Sequence, residues 1–97
     1  MARAEDDAMR SSLATLQGQR CRFSAIFAGR SRRGNLILRN VIGPTCEAEH
    51  VWIPGKEWST RLPKVGHQIE LVGTVLPYWR DDGAKDFGLF ACREVRP

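Results

Sequence analysis

The sequence predicts an all-β fold, a small five-stranded barrel with little helix, on three observations. Apolar and polar residues alternate in five separate segments after residue 18. Clusters of Gly, Pro, Asn and Asp punctuate those segments. One of them, residues 68–79, is about twice the 5 to 6 residues usual for a strand.

The elements follow in order. Residues 3–17 contain no Gly or Pro, and Ala4, Ala8, Met9, Leu13 and Leu16 fall near helical spacing. Residues 1–17 are therefore expected to form a short N-terminal helix or a flexible tail, ahead of a barrel spanning 18–97. "QRCRFSAIFAG" sets Cys21, Phe23, Ala25 and Phe27 on one face and Arg22, Ser24, Ile26 and Ala28 on the other, as in a half-buried first strand. The loop "GRSRRGN" leads to a second strand, "NLILRNVI", which the turn "IGPT" ends. A third strand centres on Val51 and Ile53 and stops at Pro54. "GKEWSTRLPK" is the one later segment able to form a helical turn, and Trp58 within it is expected to plug the bottom of the barrel. The fourth strand lies in "KVGHQIELVGTVLPYWR", with Gly66 at its start, Gly73 as its bending point and Pro77 expected to end its regular pairing. After the loop "RDDGAKD", "FGLFACREV" supplies the fifth strand.

Five strands with a short helical segment between strands 3 and 4 is the element order of an OB-fold-like Greek-key barrel. An SH3-like barrel also has five strands, but it normally lacks that helical segment and has shorter first and fourth strands. The long glycine-interrupted fourth strand favours the first architecture, because a small barrel needs strands that coil far enough to pair with both halves.

The segments "RCRFSAIF", "EHVW", "KVGHQIEL" and "VLPYW" carry a resemblance. Residues 19–97 are similar to a group of short OB-like proteins of phages and other mobile elements. That group has an arginine- and phenylalanine-rich first strand, an acidic-His-x-Trp third strand, a Lys-x-Gly-Asp entry to the fourth strand and a Tyr at its end. His67 stands where the group usually has aspartate. The resemblance implies an OB-like fold and a mobile-element or bacterial accessory origin. It implies no activity.

Composition narrows the function. A hydrophobic fraction of 42% and a charged fraction of 27% are those of an ordinary globular protein, and no apolar run approaches the roughly 18 residues of a membrane span. The first residues carry Glu5, Asp6 and Asp7 and no apolar signal-peptide core, so the expected location is cytoplasmic. Three cysteines, Cys21, Cys46 and Cys92, are an odd number without metal-ligand pairing, and Cys21 and Cys92 read as apolar filler of strands. Net charge is +4; two arginines against three acids leave −1 in residues 1–17, so the predicted barrel carries +5. Twelve of the fifteen cations are arginine, whose planar fork suits phosphates and stacks on bases. No P-loop, G-x-G-x-x-G or nucleophile elbow is present, and the expectation is a protein without catalysis, cofactor or metal.

Candidate binding residues gather in three places. Arg30, Arg32 and Arg33 crowd the loop between the first two strands, which in an OB barrel flanks the ligand groove together with the loop between strands four and five. If Val51 and Ile53 point inward, Trp52 faces out beside His50 and can stack on a base, with Arg39 of the second strand nearby; the opposite register buries Trp52. Tyr78 and Trp79 are adjacent, so they face opposite ways and one is expected in solvent, near Arg80 and Lys85. Asp81, Asp82 and Asp86 in the same loop oppose a polyanion and suit a protein partner better. The expected partner is single-stranded DNA or RNA, with a protein partner bound through the barrel face as the alternative.

Overall fold

The computed structural model describes residues 12–95. Five strands form one antiparallel sheet: β1 (Arg20–Arg30), β2 (Leu36–Ile42), β3 (Glu47–Ile53), β4 (Gln68–Trp79) and β5 (Lys85–Val95). Their spatial order is β3-β2-β1-β4-β5. Three consecutive strands with the fourth returning beside the first is the Greek-key arrangement. The sheet is strongly curled, so that Cα atoms of its two end strands, β3 and β5, come within 8 Å of each other. No ladder joins them among the described residues.

Burial follows the alternation read from the sequence. Phe23, Ala25 and Phe27 of β1, Leu36 and Leu38 of β2, Val51 and Ile53 of β3, and Ile69, Leu71 and Val75 of β4 all enter one core. That answers the register question for β3: with Val51 and Ile53 inside, Trp52 is turned outward and 51% exposed.

Two strands change which face they bury partway along. In β2, Leu38 and Val41 both point inward although three positions apart, because the ladder with β1 shifts there and Asn40 adopts φ +51°. Asn tolerates that left-handed conformation better than most residues. In β5, Leu89 and Cys92 are likewise both fully buried, the ladder with β4 slips, and Ala91 between them has φ +52°. The Glu57 carboxylate accepts a hydrogen bond from the Ala91 N–H at 2.9 Å and secures this bulge. Gly73 lies opposite, and its missing side chain is what lets the bulge close: a Cβ there would meet Cys92 Sγ at 2.9 Å.

The helical turn expected between strands 3 and 4 is a 3-10 turn, Gly55–Glu57. Trp58 follows it into the core, and its indole Nε1 donates to the Arg61 carbonyl at 3.4 Å. The next residues seal part of β5's outer edge. Ser59 N–H donates to the Cys92 carbonyl at 3.0 Å, and Thr60 Oγ1 accepts from the Glu94 N–H at 2.9 Å. An open strand edge invites unwanted pairing, and this segment covers it.

Two expectations are changed. Regular pairing does not end at Pro77, since β4 continues against β5 through Tyr78↔Asp86 to Trp79↔Lys85. The reason is the alternation of hydrogen-bonded and open pairs in an antiparallel ladder. Val75 N–H donates sideways to Gln19 O at 3.0 Å, so the backbone nitrogens of Val75 and Pro77 face away from β5. The β1 ladder has already ended at Thr74, so the proline removes no ladder bond. At the N-terminus, only the end of the expected helix falls within the described residues, and there the chain forms a 3-10 turn, Ser12–Leu16, that buries Leu13 and Leu16. Residues 1–11 lie outside them.

Among the described residues no helix is long and apolar enough to cross a membrane. Cys92 is buried and Cys21 half-buried, in keeping with their reading as apolar filler, and Cys46 is buried as well. Burial pushes the Cys92 thiol from 9.0 up to about 12, against the opposing field of Arg20. The unfolded chain then releases a proton near pH 9 that the folded chain retains to about 12. The thiol's contribution to stability is therefore complete below pH 9 and falls through that window, by about 1.4 kcal/mol per pH unit. Urea denaturation of the wild type should show this decline between pH 9 and 12, and Cys92→Ala should lack it.

Candidate functional site

A groove of about 480 Å³ opens where β3 faces the upper halves of β4 and β5. Its β3 wall carries the outward His50 and Trp52, and the opposite wall carries Tyr78, Phe87 and Phe90. Leu13 contributes from the 3-10 turn, and Asn35 and Pro54 come from the ends of adjoining strands. Tyr78 and Phe90 pack edge to face, with ring centroids 6.5 Å apart. Gly88 lets them do so, because a Cβ at that position would sit 3.2 Å from the Tyr78 ring.

Inside this aromatic lining stands one carboxylate. Asp86 Oδ1 accepts from the Phe87 N–H at 2.8 Å, and Oδ2 accepts from the Tyr78 hydroxyl at 3.3 Å. Arg80 Nη1 lies 3.9 Å from the same Oδ2. The Asp86 side chain is only 12% exposed against 45% for Arg80, so the carboxylate holds the Tyr78 ring and the guanidinium from beneath.

Cations occupy the rim. The β1–β2 and β4–β5 loops meet, since Arg33 Nη1 approaches Asp81 Oδ2 at 3.9 Å. Both side chains are fully in solvent there, where such a pair contributes little. The Arg30 guanidinium lies against Gly34 and near Gly55, next to Pro54 of the groove. Arg32 is exposed on the same loop. Arg39 is exposed on β2 with His50 as its ladder partner, one step diagonal from the Ile37↔Trp52 pair. Lys85 reaches over the Phe87 ring, 5.7 Å from its centroid.

Of the nine residues expected to bind, Trp52, Tyr78 and Arg80 line the groove, whereas Arg30, Arg32, Arg33, Arg39 and Lys85 lie outside its lining, on neighbouring loops and strands. Trp79 does not join them. It is 73% exposed against 37% for Tyr78, and it lines a second, more open hollow together with Tyr78, Arg80, Asp81 and Asp82. Phe87 and Phe90 belong to the groove without having been singled out, and Asp86, read from the sequence as an acid opposing a polyanion, lies in it too. Their signal in the sequence was Gly88, a glycine inside a strand and therefore a mark of close approach by another group. No cluster of three metal-ligating side chains forms among the described residues. Set against family models, curated proteins and solved structures, the chain matches none, so the groove's own chemistry carries the functional reading.

Proposed function

We propose that this chain is an OB-fold-like binding protein for single-stranded nucleic acid, DNA in the first instance, acting without catalysis. The observation that supports it most is the groove lined by Trp52, Tyr78, Phe87 and Phe90, with Arg80 in its lining and Arg30, Arg32 and Arg33 on a neighbouring loop. Single strands are held without base pairing by aromatic faces that stack on bases and cations that follow the backbone. In this reading bases stack on the rings of the groove, while Arg80 and the arginines of the neighbouring loop take the phosphates. A cytoplasmic protein of a mobile element or bacterial accessory system is the setting in which we place it.

Titration of a fluorescently labelled oligonucleotide tests this. Saturable binding is expected at low salt, weakening as salt rises, with each phosphate contacted adding about −0.7 to the slope of log K against log salt. Replacing Arg30, Arg32 and Arg33 together by Ala should flatten that slope by about 2. Absence of saturable binding at low salt rejects the proposal.

A second reading has one observation in its favour. Trp79, 73% exposed beside Asp81 and Asp82, forms an acidic aromatic tip that suits a basic protein surface better than a phosphate backbone. Binding of a protein there would respond to Trp79→Ala and not to Trp52→Ala.

A further inference from the structure

We infer that a bound single strand leaves the groove past Phe90 and continues over the outer face of β1, β4 and β5, where Arg20, Arg22 and Arg93 hold its phosphates. This rests on the nucleic-acid reading and concerns how far along the protein the same strand is held.

The strand register assembles that face. Residues directly opposite in an antiparallel ladder stand on the same side of the sheet. Arg22 of β1 pairs with Val72 of β4, which pairs in turn with Arg93 of β5, so two arginines flank one half-buried valine. The next row runs from Arg20 through Thr74 to Phe90, and the Arg20 guanidinium donates to Thr74 Oγ1 at 3.1 Å. Phe90 also lines the groove, which makes the two surfaces continuous. The bulge at Ala91 creates that continuity. Phe90 and Arg93 are three positions apart, an odd separation that strict alternation would send to opposite sides of the sheet.

Charge identifies what the face takes. All three arginines are exposed. The Glu70 carboxylate accepts from Arg22 Nε at 2.9 Å and offsets that one cation. Among the described residues no carboxylate forms an ion pair with Arg20 or Arg93, and the hydroxyl that Arg20 meets is neutral. Two guanidiniums are thus left for an anion, and they sit on the same face as an aromatic ring of the groove. Strand rise and spacing put the Cα atoms of Arg20 and Arg22 about 7 Å apart and those of Arg22 and Arg93 about 10 Å apart. Neighbouring phosphates of one extended strand can span those gaps, whereas a single small anion cannot bridge all three residues.

The test compares labelled oligothymidylates of about 6 and about 16 nucleotides, within the range that one OB fold occupies, over a series of salt concentrations. For the wild-type chain the longer one should show a slope of log K against log salt steeper by about 2, from three further phosphates at about 0.7 each. That comparison depends on no variant. Arg20→Gln combined with Arg93→Gln should flatten the slope of the longer oligonucleotide by about 1.4 and leave the affinity of the shorter within about twofold. Lys56→Gln combined with Lys64→Gln removes the same charge from exposed positions away from this face and should change neither slope. Equal slopes for the two lengths, an arginine variant that keeps the wild-type slope, or a lysine variant that flattens it as much overturns the inference and leaves the nucleic-acid reading standing. Failure of both lengths to bind overturns both.

Discussion

Gly73→Ala lowers the stability of the protein by about 1–2 kcal/mol, and Gly73→Val by about 3 kcal/mol or more, read as a fall in the urea midpoint at constant m value. The backbone at Gly73 is not in the left-handed region, so alanine can adopt it and gains about 0.4–1 kcal/mol from a less flexible unfolded chain. Sterics oppose this and win. The new methyl would lie 2.9 Å from Cys92 Sγ and 3.5 Å from Leu89 Cβ, and both neighbours are fully buried with nowhere to swing. Overpacking of that kind typically costs about 1–3 kcal/mol. The double variant Gly73→Ala with Cys92→Ala should recover part of the loss, because removal of Sγ vacates the colliding position; a coupling of about 0.5–3 kcal/mol is expected for neighbours in contact. If the two effects simply add, the collision is not the cause.

The two tryptophans of the sheet's loops and edges should behave oppositely. Trp52→Ala is expected to weaken oligonucleotide binding by about 1–3 kcal/mol, roughly 5- to 150-fold, the value of one base stacked on an aromatic. Its stability should change by less than about 1 kcal/mol, since half the side chain already faces water. Trp58→Ala should lose about 3–5 kcal/mol of stability and unfold much of the population, because the indole belongs to the buried core and its residue bridges to Cys92 of β5. Unfolding of the Trp52 variant together with unchanged affinity in its folded fraction would reassign that residue to the core.

Much of the fold could be read from period and punctuation. Phe23, Ala25 and Phe27 announce an inward face because a pleated strand alternates strictly, and a long run with a glycine at its middle announces a strand that must bend. Alternation fails where the ladder slips. Asn40 and Ala91 shift the buried face of β2 and β5 by one residue, and nothing in an isolated "RNV" or "FAC" says that the chain will turn left-handed there. For Ala91 the cause is remote: the Glu57 carboxylate holds its N–H, and Gly73 makes room for Cys92. Pro77 misled for a related reason, since whether a missing N–H matters depends on which neighbour that edge faces.

The candidate site divides in the same way. Trp52, Tyr78 and Arg80 were recognisable as aromatic and cationic residues at the ends of strands, next to loops. Their meeting with Phe87, Phe90 and Asp86 was not, because the groove is a gap between β3 and β5, which are separated by more than thirty residues and touch only through the curl of the sheet.

The sequence by itself determined the strand count, the alternation of faces along the first strand and the basic loop, because alternation, turn residues and charge are local properties. The tertiary structure decided that Trp52 faces solvent within a groove, that Trp79 stands apart from it, and that a carboxylate lies among its rings. These depend on sheet curvature and on which strand edges are left uncovered, and both arise only when distant segments pack together.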